Sequence, residues 1–168
     1  MTIRTMRPDD VEAVVGINSM NLGDVDPVSA DQVTQMLESG PIALVAEAPD
    51  IGVVGFAVVI DSGSPYRSER ADWALKIGGA DLHLERVAFD MTYSGLGLGL
   101  ALYNELDERI LTVGREAGAE PITLTSMVRV EPPNRHAIDF HTVRGFETVD
   151  QADFGDSTIA VARKTYDV

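Results

Sequence analysis

The chain has 168 residues, 45% of them hydrophobic, a length that suits one globular domain over residues 1–168. It has no cysteine, which excludes disulfides, thiolate zinc sites and a cysteine nucleophile and favours a cytoplasmic location. A net charge of -14 disfavours nucleic acid and anionic membranes as partners, and it indicates either simple solubility or attraction of a cationic partner. No apolar run is long enough to cross a bilayer.

The first part of the chain predicts a strand, two helices and a hairpin of buried strands. Ser29 and Gln32 fit a capping box at the start of the second helix, and Gly40 before Pro41 ends that helix. Two apolar runs of strand length follow, separated by a Pro-Asp-Ile-Gly turn. The predicted elements are a strand at residues 3–6, helices at about 8–21 and 29–40, and strands at 42–48 and 53–60.

The second part predicts a long ordered loop and then alternating strands and helices. Ser, Gly and charged residues dominate residues 61–80, which indicates a loop of a length that is often functional. Leucines then recur every four residues from Leu98 to Leu106, which predicts an amphipathic helix. The further predicted elements are strands at residues 82–89 and 122–128, a helix at about 134–143, and strands around 146–149 and 157–162.

The segment Ser94-Gly95-Leu96-Gly97-Leu98-Gly99 lies between a predicted strand and a predicted helix, where backbone N–H groups can converge on a bound anion. A Walker A loop would end in Gly-Lys-Ser/Thr, and a dinucleotide fingerprint would have a small residue where Leu102 stands. A regulatory domain that binds ATP or GTP is an alternative, but the glycine loop lacks the Lys and Ser/Thr that such a site usually has.

Two segments of the chain resemble motifs of the Gcn5-related N-acetyltransferase (GNAT) family. The glycine loop is similar to the family's Arg/Gln-x-x-Gly-x-Gly/Ala motif at Gly97 and Gly99, with Ser94 in place of Arg/Gln. Residues 133–146 are similar to its C-terminal motif, except that Phe-His stands where Phe-Tyr is usual. The matching residues of this second motif are Asn134, Ala137, Phe140, Gly145 and Phe146.

The resemblance spans nearly the whole chain and implies a fold and an activity. The fold would be α/β, with a central mixed, mostly antiparallel sheet of about seven strands and about four flanking helices. The activity would be that of an acyltransferase, an N-acetyltransferase that passes the acetyl group of acetyl-coenzyme A (acetyl-CoA) to a primary amine by direct attack, without a metal, in a possible homodimer. The acceptor stays open. A non-catalytic acyl-CoA-binding or sensing module is the alternative, because Ser94 and His141 depart from the family pattern.

The resemblance also implies a binding role for one strand and the glycine loop. The backbone of the strand would pair with the pantetheine arm as an added strand would, and the loop would hold the pyrophosphate. Asn134 would face the cosubstrate, or would only cap the short helix that follows it. The implied cofactor-binding residues are Val87, Ala88, Phe89, Ser94, Gly95, Leu96, Gly97, Leu98, Gly99, Leu100 and Asn134.

Two residues are candidates for the proton transfers. His141 stands where the family usually has a tyrosine that protonates the leaving thiolate, so it would be the general acid; it could equally serve as the base, or merely pack beside Phe140. Glu85 is the candidate general base, on the same side of its strand as Val87, with Glu131 as its competitor or a neighbouring arginine as its partner. The scattered histidines have no metal-ligand spacing, so no metal site is predicted.

The predicted loop contains the residues that are candidates for binding the acceptor amine. Residues 66–73 resemble an aromatic and arginine-bearing insertion in one branch of the family, which implies a position over the acceptor site. Tyr66 and Trp73 would either stack on a cationic acceptor or pin the loop to the core.

Overall fold

A seven-stranded sheet runs through the computed structural model, which describes residues 1–168. Its strands are β1 (Thr2–Thr5), β2 (Ile42–Ala48), β3 (Gly52–Asp61), β4 (Leu82–Phe89), β5 (Ile122–Glu131), β6 (Glu147–Phe154) and β7 (Ser157–Tyr166). They lie in the order β1-β2-β3-β4-β5-β7-β6, and only the β4–β5 pair is parallel. The predicted mixed, mostly antiparallel sheet is confirmed, and β5, β6 and β7 extend beyond the predicted residues.

Five α-helices flank the sheet, and none of them is long and apolar enough to cross a membrane. They are α1 (Val11–Met20), α2 (Ala30–Ser39), α3 (Glu69–Gly78), α4 (Leu98–Ala117) and α5 (Arg135–Val143). The capping box that opens α2 is confirmed, since Ser29 Oγ accepts from the Gln32 N–H at 3.1 Å and Gln32 Oε1 accepts from the Ser29 N–H at 2.9 Å. Each bond satisfies an N–H group that the helix itself leaves free.

Each face of the sheet has its own hydrophobic core. On one side, which we call the α4 face, Leu102 and Leu106 are fully buried against strand residues such as Leu124, as their spacing predicts. On the other side, the α1 face, α1 and α2 bury Val14 and Met36 over β2 and β3. Full burial of such a side chain stabilises the fold by about 1.5–3 kcal/mol, so both helical layers are anchored to the sheet.

The prediction of a loop over residues 61–80 is wrong, because half of that segment forms α3. Ser68 caps the helix by accepting a hydrogen bond from the Ala71 N–H at 3.0 Å, and Gly79 ends it with a left-handed φ of 55°. The buried face consists of Ala71, Ala74, Leu75 and Gly78, a spacing that suits a helix. Small side chains give little hydrophobic signal, which is why the sequence hides this face.

The end of α3 lies directly against β5. A Cβ atom at Gly78 would lie 2.2 Å from Cγ2 of Thr125, so only glycine fits at this contact. The Gly78 carbonyl also accepts a hydrogen bond from Arg163 of β7 at 2.9 Å. These contacts hold α3 on the α1 face, close to the place where β4 and β5 separate.

The parallel strands β4 and β5 pair over a short stretch and then diverge. Their register joins Leu82 to Leu124, His83 to Thr125 and Leu84 to Ser126, and no later residues of the two strands are paired. The sheet therefore opens into a V-shaped gap after Leu84, and one edge of β4 is free along the gap.

A β-bulge in β4 sets which residues face which side of the sheet at the gap. Val58 of β3 pairs with Arg86, but the next residue, Val59, pairs with Leu84, so Glu85 is the extra residue. Glu85 and Arg86 both turn to the α1 face, whereas Val87 packs on the α4 face. The prediction that Glu85 and Val87 share a side is wrong, because strict alternation holds only in an unbulged strand.

Candidate functional site

The free edge of β4 offers backbone groups to the gap. The Asp90 N–H donates to the Val54 carbonyl of β3 at 2.8 Å, and by alternation the polar groups of Ala88 also point to β3. Those of Val87 and Phe89 therefore point into the gap, where the Phe89 carbonyl accepts from Nδ2 of Asn21 at 2.9 Å. Of the three residues expected to pair with a ligand arm, two present their backbone and Ala88 does not.

The glycine loop lies after β4 and leads into α4. Gly95 and Gly97 have φ values of 80° and 74°, and Gly97 is the N-cap of α4 without a side-chain cap. The backbone N–H groups of residues 95–100 donate no hydrogen bond within the protein, and the side chains of Leu96 and Leu100 are exposed. Free N–H groups at the positive end of a helix dipole attract an anion, and this helix is 20 residues long.

The side chain of Glu85 lies at the gap on the α1 face. It is only 5% exposed, and burial raises the pKa of its carboxyl to about 7; the neighbouring Arg86 and Tyr66 lower that pKa in part, and Asp26 raises it. A carboxyl group with a pKa near neutrality can accept and release a proton under physiological conditions. The competing candidate, Glu131, lies exposed at the end of β5.

His83 lies two residues before Glu85 and is fully buried on the same face. Its Nδ1 is 3.0 Å from Oγ1 of Thr125, while its Nε2 has no hydrogen-bond partner and lies 3.6 Å from Oε2 of Glu85, which also has none. Burial lowers the pKa of His83 to about 4, and a hydrogen bond to the backbone of Thr125 raises it in part, so the ring is neutral at pH 7.

His141 is buried under the gap on the α4 face. Its Nδ1 donates to the Ala137 carbonyl at 2.8 Å, and its Nε2 lies 3.0 Å from the Tyr103 hydroxyl and 3.1 Å from Oγ of Ser126. Burial lowers the pKa of His141, so the ring is neutral and its only proton is the one that Ala137 accepts. In this arrangement no N–H is left for a leaving group, which favours the packing alternative over the general acid.

Asn134 acts as the N-cap of α5. Its Oδ1 accepts from the Ala137 N–H at 3.1 Å, and its Nδ2 donates to Oδ1 of Asp24 at 3.2 Å. Both ends of the amide are therefore engaged within the protein, and a ligand would have to displace Asp24 to bind Nδ2.

Residues 23–26, which we call the strap, cross the gap on the α1 face. From β5, Arg129 donates to the Gly23 carbonyl at 2.6 Å and to Asp24 at 2.8 Å. From β4, Arg86 donates to the Asp26 carbonyl at 2.6 Å. The strap thus connects the two diverging strands, and the sequence gives no local sign of these long-range contacts.

Helix α3 joins the strap to the hairpin of β6 and β7. Arg70 pairs with Asp26 at 3.1 Å and lies over the ring of Phe154 at 5.1 Å, and Trp73 meets the same ring edge-on at 5.2 Å. Tyr66 is buried in the core on the α1 face. Both aromatic residues therefore pack within the protein, and neither forms an open cage for a cation.

Comparison with known proteins gives a fold but no sequence family. No protein-family model matches the chain, and no curated protein matches it in sequence. The ribosomal-protein-S18-alanine N-acetyltransferase from Escherichia coli aligns with 99% of this chain and 94% of its own, at 18% identity and a TM-score of 0.69. Naa20 from Chaetomium thermophilum, solved with a bisubstrate analogue, aligns with 98% of this chain and 86% of its own, at 18% identity and a TM-score of 0.71.

A third similar structure contains acetyl-CoA. The yncA protein from Salmonella typhimurium, solved with its cofactor acetyl-CoA, aligns with 97% of this chain and 92% of its own, at 20% identity and a TM-score of 0.65. At such identities the likeness shows the fold alone. The chain has the fold of these N-acetyltransferases, and the fold implied by the sequence motifs is confirmed.

Proposed function

We propose that the protein is an N-acetyltransferase that binds acetyl-CoA in the gap between β4 and β5 and passes the acetyl group to an amine on the α1 face. The observation that carries this proposal is the continuity of the free β4 edge with the glycine loop, whose N–H groups have no partner in the protein. The amides of an extended arm suit the first surface, and a pyrophosphate suits the second. The acetyl-CoA in the yncA structure, which has the same fold, supports the choice of ligand.

Glu85 would act as the general base on the acceptor side of the gap. The acceptor arrives as an ammonium, Glu85 takes one proton from it, and the amine nitrogen then attacks the thioester carbonyl. The C–N bond forms, the nitrogen releases its second proton to solvent, the C–S bond breaks, and the thiolate leaves and takes up a proton from solvent. Because Oε2 of Glu85 faces His83, Oε1 is the oxygen that would meet the acceptor.

His141 would support the site without giving up a proton. Its ring accepts hydrogen bonds at the point where β4 and β5 separate, since Ser126 belongs to the last residue pair that joins the two strands. We assign it a positioning role, and the proton for the thiolate would come from solvent.

The acceptor that best matches Glu85 is an α-amino group, on an amino acid or at the N-terminus of a peptide. Transfer of a proton to Glu85 costs free energy in proportion to the amount by which the pKa of the ammonium exceeds that of the carboxyl group. An α-amine has a pKa near ~7.7–8.0 and a lysine side chain one near ~10.4, so the α-amine lies closer to the value of about 7 for Glu85.

Isothermal titration with acetyl-CoA, coenzyme A and ATP tests the cosubstrate site. We expect binding of the first two and none of ATP. Gly97→Ala should weaken acetyl-CoA binding, because a Cβ would stand among the free N–H groups. Gly118→Ala is the matched control, since it caps the other end of α4 with a similar φ of 65° and lies away from the site. Equal affinities in the two variants would contradict the proposed site.

Turnover is measured as release of the coenzyme A thiol with a panel of acceptors. The panel contains an amino acid, a peptide with a free N-terminus, the same peptide with a blocked N-terminus and a free lysine side chain, and a polyamine. We expect the free α-amines to react fastest. Tight binding without turnover on any amine would favour the non-catalytic acyl-CoA-binding alternative.

A further inference from the structure

We propose that His83 is a positioning residue for Glu85: the unprotonated Nε2 of His83 accepts a hydrogen bond from the carboxylic acid form of Glu85, so that one proton is held between the two side chains. The use of this pair as a catalytic base rests on the proposed function. The shared proton itself is a property of the protein alone and can be observed without a substrate.

The hydrogen bonds around Thr125 determine where the proton of His83 lies. Oγ1 of Thr125 is 3.3 Å from the Leu82 carbonyl, which can only accept, and we assign the single hydroxyl proton of Thr125 to that contact. With that assignment Oγ1 accepts from Nδ1 of His83, 3.0 Å away. A neutral ring with its proton on Nδ1 has a lone pair on Nε2.

That lone pair faces Oε2 of Glu85 at 3.6 Å, and both atoms are buried without a partner. If Glu85 were ionised, Oε2 and Nε2 would both be acceptors and could not form a hydrogen bond. If Glu85 is protonated, its O–H group can donate to Nε2 once the two side chains approach by a few tenths of an ångström. The two unpartnered atoms therefore satisfy each other in one protonation state of Glu85 only. This geometry stabilises the acid form and makes its conjugate base stronger.

Other ionisable groups around the pair act on Glu85 from three elements. Arg86 on the same strand and Tyr66 before α3 favour the carboxylate, and Asp26 of the strap opposes it. On the β5 side the ring of His83 meets the uncharged Thr125. His83 is thus the neighbour whose lone pair accepts from the acid.

The proton balance of the proposed reaction is simple. The acceptor ammonium loses one proton and the carboxylate of Glu85 gains it. Oε1 takes that proton, and rotation of the carboxyl group about its Cγ–Cδ bond turns the new O–H group toward Nε2 of His83. Nε2 accepts the hydrogen bond without gaining the proton, so His83 stays neutral. The pair keeps the proton away from the acceptor nitrogen, whose lone pair remains free to attack.

The experiment is a pH titration of the histidine ring nitrogens by NMR, from about pH 5 to about pH 9. We expect His83 to remain neutral with its proton on Nδ1, and its Nε2 resonance to move in one step with a midpoint near the value of about 7 for Glu85. Glu85→Gln should abolish the step, because its amide donates to Nε2 at every pH. Glu131→Gln, at an exposed carboxylate, is the control and should leave the step unchanged.

Three outcomes would overturn the proposal: a proton on Nε2 in the wild-type protein, no step in the wild-type protein, or a step that persists in Glu85→Gln. The first two need no variant, so a folding defect cannot hide them. A step without acetyl transfer to any amine would refute the proposed function and leave the shared proton standing, and transfer without a step would do the reverse.

A kinetic readout extends the test where the protein acetylates an amine. His83→Gln places an N–H donor near Glu85, which favours the carboxylate. We expect the acidic limb of the kcat/KM profile to move down by about one pH unit. An unchanged limb would assign His83 a purely structural role and overturn the proposal.

Discussion

Replacing Glu85 with glutamine should stabilise the fold at alkaline pH and have a much smaller effect at acidic pH. The wild-type carboxyl has its pKa raised by burial from 4.5 to about 7. A raised carboxyl pKa means that the protonated form is favoured in the folded state, so its contribution to stability is present at low pH and is lost as the pH rises through about 7. Glutamine has nearly the same shape and never ionises.

The size of the effect follows from the two pKa values. Above the folded pKa, the buried carboxylate costs roughly 3 kcal/mol relative to the unfolded chain, and at about pH 5 the cost is less than about 1 kcal/mol. The advantage of Glu85→Gln over the wild-type protein should therefore grow by about 2–3 kcal/mol between about pH 5 and about pH 9. Measurements above pH 5 stay clear of the titration of His83, whose pKa burial lowers to about 4.

Urea unfolding of the two proteins at several pH values measures this difference, because all other titrating groups are common to both. The slope of free energy against urea concentration should be the same in the two proteins, which would show that the exposed area is unchanged. If the two free energies of unfolding stay parallel across the range, the carboxyl is not buried in the way that the structure requires, and the reasoning about Glu85 as a base fails with it.

Three further predictions concern other parts of the molecule. Ser94→Arg should leave acetyl-CoA affinity unchanged or tighter in a calorimetric titration, because backbone N–H groups hold the anion and an added cation cannot repel it. His141→Phe should lower the free energy of unfolding by about 1–3 kcal/mol, since buried hydroxyls lose their acceptor, and a collapse of turnover at unchanged stability would restore the acid role. Gly78→Ala should destabilise the fold by about 1–3 kcal/mol through its clash with Thr125, whereas Gly16→Ala, which meets nothing within 4 Å, should not.

Local patterns predicted most of the fold. The capping box of Ser29 and Gln32 and the leucine repeat from Leu98 each involve neighbours within a few residues, so one sequence is enough to detect them. Helix α3 was not predicted because its buried face consists of alanines, one leucine and Gly78, which give little hydrophobic signal. The small size of Gly78 allows its close contact with Thr125, which is visible only in the folded chain.

The glycine loop of the site could be predicted from the sequence, whereas the orientation of Glu85 could not, because it depends on the register between β3 and β4. The free N–H groups of the loop follow from glycines that are visible in the sequence. The bulge at Glu85 is not visible, because it arises from how β4 meets β3, and it moves the carboxylate to the side opposite Val87. Arg86 and Arg129 could have been noticed as charges within strands, but their partners in the strap lie 60 and 106 residues away along the chain.

The strap makes the two sides of the gap thermodynamically dependent on each other. Arg86 and Arg129 hold it from strands that are paired with each other at only three residue positions. A ligand that widens the gap from the α4 face must lengthen these hydrogen bonds, and its affinity then includes the cost of loosening the strap. Linkage is reciprocal: if the first ligand raises the affinity for a molecule that displaces the strap on the α1 face, that molecule raises the affinity for the first ligand by the same factor.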